Sequence, residues 1–324
     1  MTGTRPRIVV TRWIPDDAMA LLHETGEVWS PDPDRQLPAD ELHRVVAGAD
    51  AAVVTLRDRI DGDFADAAGP QLKVIANVAV GYDNIDVPAL TERGITVANT
   101  PGVLTDATAD IAFGLLLSAT RRLGEGERLL RSRTPWSFHL GFMLGSGIQD
   151  KTLGIIGLGQ IGQAMATRAR AFGMRIAYSG RRRAPSEVED RLEATYLPQD
   201  ELLRTADVVS LHCPLTPDTR HLIDEAALRS MKPTAFLTNT TRGPVVDEAA
   251  LAEALRDGVI AGAGLDVFEN EPEVHPELLE LDNVALAPHL GSATVETRTA
   301  MATLAARNVI AVLSGEPAIT EVTP

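Results

Sequence analysis

Short runs of β-branched and apolar residues alternate along the chain with longer stretches of helical periodicity. Ile8–Thr11 reads as a strand, and a helix opens near Pro15-Asp16-Asp17. Ala51–Thr55, Lys73–Ala76 and Ile95–Ala98 read as further buried strands. A second series begins at Leu153-Gly154-Ile155-Ile156. It continues through Met174–Tyr178, Asp207–Leu211, Ala235–Asn239, Ile260–Val267 and Val284–Ala287. Helical patterns lie between these runs. One covers Asp247–Leu255, with Asp247 as N-cap and Gly258 as stop. Such alternation predicts parallel sheets covered by helices. A long helix from about Thr294 to Leu313 ends at Ser314-Gly315. No strand series follows it, so it is expected to pack back onto the first domain. The expected arrangement is one sheet domain inserted into another, with the cleft between them as the natural active site.

Length and composition narrow the function classes. At roughly 150 residues per domain, 324 residues suggest two domains. Hydrophobic residues make up 44% and charged residues 23%, which excludes a disordered chain. The single cysteine, Cys213, excludes an intrachain disulfide and fits a reducing compartment. A net charge of −15 disfavours nucleic-acid and anionic-membrane partners. The most apolar run, Ile111–Leu117, is far shorter than the ~20 residues of a membrane span. The N-terminal MTGTRPRIVVTRW has no long apolar stretch and reads as a short polar lead into a strand. These features predict a cytoplasmic protein.

The sharpest local signal is Gly157-Leu158-Gly159-Gln160-Ile161-Gly162. Glycine triplets of this kind are common by chance. This one directly follows the strand Leu153–Ile156 and opens a helical stretch, Gln163–Phe172, that Gly173 terminates. That is the setting a dinucleotide fingerprint requires. Gly157 permits the tight turn, Gly159 lets the backbone approach a pyrophosphate, and Gly162 lets helix and strand pack closely. The next strand ends in Ser179-Gly180-Arg181-Arg182-Arg183, where an NAD-preferring fold carries an acid. A hydroxyl and guanidiniums in that place suit a 2′-phosphate, so Ser179, Arg181 and Arg182 predict NADPH in preference to NADH.

Three further segments follow predicted strands of the nucleotide domain: Thr241-Arg242-Gly243, Phe268-Glu269-Asn270-Glu271-Pro272 and Pro288-His289-Leu290-Gly291. Ligands of doubly wound folds bind at the carboxyl ends of strands. An Arg, a Glu and a His are therefore expected to converge beside the nicotinamide. Taken singly, each has a blander reading: a salt bridge, an exposed carboxylate, a satisfied core histidine. With Asn77-Val78-Ala79-Val80-Gly81-Tyr82-Asp83-Asn84-Ile85-Asp86 and Asn99-Thr100-Pro101-Gly102-Val103-Leu104-Thr105-Asp106, these segments resemble the D-isomer-specific 2-hydroxyacid dehydrogenases, especially the glyoxylate/hydroxypyruvate reductase branch.

The resemblance spans essentially the whole chain. It implies an α/β protein in which a Rossmann nucleotide domain, residues 100–289, is inserted into a flavodoxin-like substrate domain, residues 1–99 with 290–324. It implies reduction of small 2-oxo acids and a homodimer built around the nucleotide domain. It makes His289 the acid, Glu271 its partner and Arg242 the holder of the substrate carboxylate. The backbone N–H groups of Val80 and Gly81 also hold that carboxylate, and Leu56 and Arg57 lie on the substrate side. Thr105, Cys213, Pro214, Thr219, Thr240, Asp266, His289 and Gly291 match positions that line the cofactor. No metal site is expected.

The sequence departs from the branch in places. Arg57 stands where a small hydroxyl residue is more usual, and Gly102 where an Asp is. Trp136 is a candidate to reach a partner's substrate pocket. A dehydrogenase for phosphoglycerate or a larger 2-oxo acid is an alternative, as is a nucleotide-sensing corepressor-like binding protein. The arginines near the adenine ribose disfavour the corepressor. A formate dehydrogenase calls for Gln at the position of Glu271.

Overall fold

The structure is a computed structural model and describes residues 5–31 and 35–323. The first four residues of the polar lead, Met1–Thr4, lie outside the described residues. The chain forms two compact units, Met1–Leu104 with Ala293–Pro324, and Thr105–Ser292. Both breaks fall a few residues later than 99/100 and 289/290.

The first unit contains β1 (Arg7–Val10), α1 (Asp16–Thr25), β2 (Glu27–Trp29), α2 (Ala39–Val46), β3 (Ala51–Val54), α3 (Gly62–Ala68), β4 (Val74–Asn77), α4 (Val87–Thr91) and β5 (Thr96–Ala98). Its sheet is parallel, in the order β2-β1-β3-β4-β5, the flavodoxin-like winding. Every residue of β3 and β4 is buried, as expected for central strands covered on both faces. Gly102 sits at φ +84°, in the left-handed region that suits glycine, and this accounts for the residue type there.

The second unit contains α5 (Thr105–Thr120), α6 (Leu123–Arg131), β6 (Thr152–Ile156), α7 (Gln160–Ala171), β7 (Arg175–Ser179), α8 (Ser186–Leu192), β8 (Ala194–Tyr196), α9 (Gln199–Thr205), β9 (Val208–Leu211), α10 (Glu225–Ser230), β10 (Phe236–Asn239), α11 (Glu248–Arg256), β11 (Gly262–Leu265), α12 (Pro276–Glu280) and β12 (Val284–Leu286). Its seven strands are parallel, in the order β12-β11-β10-β9-β6-β7-β8. From β6 the chain winds one way through β7 and β8, then returns to β9 on the other side. The switch point between β6 and β9 is where a doubly wound sheet binds its ligand.

The last helix, α13 (Val295–Leu313), starts at the N-cap Thr294, whose side chain accepts the Thr297 N–H, and packs on α1, β3 and β4 of the first unit. Asp247 likewise caps α11, accepting the Ala250 N–H. Two short edge strands, β2 (Glu27-Val28-Trp29) and β8 (Ala194-Thr195-Tyr196), have no counterpart in the sequence pattern, because neither lies in an apolar run, unlike the equally short edge strands β5 and β12. Helix α7 begins at Gln160 and not at Gln163. Gly159 is its N-cap, so the end of the glycine motif forms the first helical turn. Among the described residues, no helix is long and apolar enough to cross a membrane.

Candidate active site

Gly157 follows β6 at φ +97°, and a Cβ there would meet the backbone of His212 and Cys213 at 2.8–2.9 Å. The turn is thus pressed against the chain leaving β9, on the other side of the switch point. A Cβ on Gly162 would collide with the Gly157 carbonyl at 2.3 Å. Gly159 is different: a Cβ there would meet nothing within 4 Å. The same residue caps α7, and the free N–H groups of a helix start suit a phosphate. Two glycines are needed for packing, and the third leaves room for a ligand.

At the end of β7, Ser179 is buried. Arg183 is held by Glu189 at 2.8 Å. Arg181 and Arg182 are exposed and make no hydrogen bond or ion pair among the described residues.

After β9, His212 bonds Ser210 through Nε2 at 2.8 Å, and burial pushes its pKa down to about 4. Burial pushes the adjacent Cys213 thiol up to about 11, so it is no nucleophile. Among the described residues, no group of three or more His, Cys, Asp or Glu is placed to hold a metal. The loop beyond is closed by Thr219, whose hydroxyl donates to the Pro214 carbonyl at 2.7 Å and accepts the Thr216 N–H at 2.8 Å. Thr240 follows β10 with a buried hydroxyl that has no hydrogen-bond partner among the described residues. An open approach at Gly159 and an orphaned hydroxyl at Thr240 fit a dinucleotide lying across the switch point.

Arg242 follows the same strand. Asn239 shapes its turn: the side-chain amide donates to the Arg242 carbonyl at 2.9 Å, and Oδ1 accepts from Thr241 N–H at 3.0 Å and its hydroxyl at 2.8 Å. The next residue, Gly243, lies so close to the Phe268–Glu269 backbone that a Cβ would come within 1.9 Å of the Phe268 carbonyl carbon. The loop bearing Arg242 therefore rests directly on the segment bearing Glu271.

Glu271 accepts the Phe268 N–H through Oε1 at 3.1 Å, and its Oε2 lies 2.8 Å from His289 Nδ1. A carboxylate there fixes the ring and leaves Nε2 to carry the exchangeable proton. His289 sits at φ +56°, an uncommon backbone conformation for a side-chain-bearing residue. Asp266 maintains it. The Asp266 carbonyl accepts the His289 N–H at 2.9 Å, and its carboxylate accepts the Leu290 and Gly291 N–H groups at 2.6 and 2.8 Å. Burial pushes the Asp266 carboxyl up, and these two donors oppose that shift. The Gly291 carbonyl is tied to α5 by the Thr108 hydroxyl at 3.1 Å. Thr105 is the first residue of that helix.

In the first unit, Val80 and Gly81 lie in the loop after β4. Their carbonyls are taken by the side-chain amides of Asn99 and Asn77, at 2.8 and 2.9 Å. Their own N–H groups donate to nothing among the described residues, so the loop offers two donors to an anion. Leu56 is half-buried and Arg57 exposed in the loop after β3.

A family model for "D-isomer specific 2-hydroxyacid dehydrogenase, NAD binding domain" matches residues 113–291. The glyoxylate reductase of Thermococcus onnurineus is 50% identical over 316 residues, covering 96% of this chain and 94% of that one.

The chain belongs to the D-isomer-specific 2-hydroxyacid dehydrogenase family.

Solved relatives extend the likeness to the whole fold. A protein from Thermus thermophilus is 45% identical with a TM-score of 0.92, covering 98% of this chain and 100% of that one. An NADPH-dependent glyoxylate/hydroxypyruvate reductase from Sinorhizobium meliloti, in complex with NADP and malonate, is 39% identical with a TM-score of 0.86, over 99% and 97%. As a member of this family, the chain is a D-2-hydroxyacid dehydrogenase that uses a nicotinamide cofactor.

Within this dehydrogenase, sequence reading missed the residues that hold the others: Asn239 behind Arg242, Asn77 and Asn99 behind the loop of Val80 and Gly81, and Glu248. Asn77 and Asn99 fall inside quoted motifs, where an asparagine beside a glycine turn is the only signal. Glu248 reads simply as a first-turn helix acid.

Proposed function

We propose that this dehydrogenase reduces glyoxylate and hydroxypyruvate with NADPH, and that His289 gives the proton. The observation that carries the reading is the His289 Nδ1–Glu271 Oε2 pair at 2.8 Å, set after a strand of the nucleotide-binding sheet. The bound nicotinamide supplies the hydride. His289 protonates the carbonyl oxygen from Nε2 as the carbonyl carbon accepts that hydride, leaving a 2-hydroxy acid and a neutral imidazole. Glu271 holds the ring in place through Nδ1, so that Nε2 faces the substrate. Arg242 grips the substrate carboxylate and polarises the carbonyl, a task that suits a guanidinium fork. The Val80 and Gly81 N–H groups, with Leu56 and Arg57, are assigned to the same substrate.

Gly157–Gly162, Thr105, Cys213, Pro214, Thr219, Thr240, Asp266 and Gly291 are assigned to the cofactor. Preference for NADPH is supported by two guanidiniums, Arg181 and Arg182, that have no partner among the described residues, beyond Ser179, with no acid at that strand end. A homodimer is supported by exposed apolar surface on the nucleotide unit. Helix α6 buries no residue, and Trp136, Phe138, Leu140 and Leu144 are exposed.

Steady-state oxidation of NADPH and NADH against glyoxylate, hydroxypyruvate, pyruvate and phenylpyruvate tests the reading. Fast turnover of the two small acids with NADPH is expected. Activity confined to the larger acid, phenylpyruvate, would overturn the substrate assignment. Changing Arg181 and Arg182 together to Gln should raise the KM for NADPH roughly 10- to 100-fold and leave that for NADH nearly unchanged. An equal effect on both would refute the 2′-phosphate assignment.

A further inference from the structure

The segment that carries Glu271 runs from Phe268 to His275, between β11 and α12. It has no strand or helix of its own to hold it. Within it, the Glu273 N–H donates to the Asn270 carbonyl at 3.0 Å, and the Phe268 N–H to Glu271 itself. One side chain outside the segment grips both of its ends. Glu248, in the first turn of α11, is only 7% exposed. Its Oε2 accepts the Glu269 N–H and its Oε1 the His275 N–H, each at 2.7 Å. Both are charge-assisted bonds from backbone, short and directional.

Glu248 itself is rigidly placed. Asp247 caps its helix, and the 3₁₀ turn Gly243–Val245 just before it continues from Arg242. One carboxylate therefore links the element that follows Arg242 to the element that bears Glu271. The His221 side chain adds a second tie, bonding the Glu269 carboxylate, and the His221 N–H donates to the Pro244 carbonyl at 2.8 Å.

We infer that Glu248 is a positioning residue for the reaction: by clamping both ends of the 268–275 segment, it holds Glu271 at hydrogen-bond distance from His289. The inference rests on the proposed role of Glu271. A carboxylate is required because two N–H groups arrive from opposite ends of the loop and each needs its own acceptor oxygen. A glutamine offers one acceptor and turns a donor toward the other N–H, so one end of the loop is released. Glu271 then loses its place against the imidazole, and proton transfer suffers more than ligand binding does.

Glu248→Gln and Glu248→Ala are to be compared with Glu271→Gln and with the double variant Glu248→Gln/Glu271→Gln. Active sites are counted by fluorescence titration with NADPH, and kcat and KM are read with glyoxylate. The isosteric Glu248→Gln guards against simple unfolding of the alanine variant. A displacement near 1 Å is enough to lower kcat by roughly 10- to 100-fold. The KM for glyoxylate and the binding of NADPH should change less than about twofold, since neither contact is on this segment. In the Glu271→Gln background the second substitution should cost nothing further.

Full kcat in Glu248→Gln alongside an impaired Glu271→Gln would overturn the inference and leave the proposed function standing. Losses that multiply in the double variant would also overturn it, since Glu248 would then act independently of Glu271. Full activity in Glu271→Gln would overturn the role of Glu271 and this inference with it.

Discussion

The glycine turn after β6 and the acid corner around His289 lie on one sheet, at the same ends of its strands, yet they are built in opposite ways. The turn is six consecutive residues, and its chemistry depends on missing side chains. Gly157 and Gly162 are pressed against backbone, while Gly159 faces open space. The corner draws Arg242, Asp266, Glu271 and His289 from three loops, and each depends on a side chain that holds another. A contiguous site is set by local backbone geometry, whereas a dispersed one requires the whole sheet to be in register first.

The largest expected effect falls on the corner. His289→Asn removes the proposed proton donor and should lower kcat by roughly 10²- to 10⁴-fold with NADPH binding intact, read by steady-state kinetics and fluorescence titration. A variant with near-normal kcat would take His289 out of the chemistry. Gly243→Ala comes next. Its Cβ would fall 1.9 Å from the Phe268 carbonyl carbon, backbone against backbone, so neither side yields cheaply. A cost of about 3 kcal/mol or more is expected, lowering the Tm by roughly 10 °C in a scanning calorimeter.

Gly159→Ala is the contrasting case on the turn. Nothing in the protein meets the added methyl, so the Tm should stay within about 1 °C. Affinity for NADPH should drop by about tenfold or more, because the methyl would fill the space proposed for the pyrophosphate. A stable protein with unchanged affinity would refute the assignment of that space. The smallest effect concerns Cys213. With its pKa pushed up to about 11, only about a thousandth of the thiol is ionised at pH 8. Iodoacetamide should therefore label the folded protein far more slowly than the urea-unfolded one, with labelling accelerating as pH rises toward 11. Rapid labelling of the folded protein at pH 8 would show a more open Cys213.

Much of this molecule was legible along the chain. The βα alternation, the cap at Asp247, the start of the last helix near Thr294 and the glycine turn all follow from local pattern, whereas the winding of the two sheets came from the family likeness. Local pattern reaches that far because burial on both faces leaves β-branched runs, and helix ends leave polar caps. Family likeness brought Arg242, Glu271 and His289 into view, but not what keeps them there. Edge strands β2 and β8 stayed hidden because they lie outside any apolar run, whereas the equally short edge strands β5 and β12 lie within one.

The amino-acid sequence by itself determined where the central strands lie, where a glycine turn opens a helix, and which residue types are available for proton transfer. Only the tertiary structure decided that the Phe268–Glu269 backbone rests against Gly243, that Asp266 supports the left-handed His289, and that Glu248 reaches both ends of the loop holding Glu271. The reason is physical. Helices and turns are specified by neighbours within a few positions, whereas a buried carboxylate finds its donors only after distant segments have been brought into contact by the packing of the sheet.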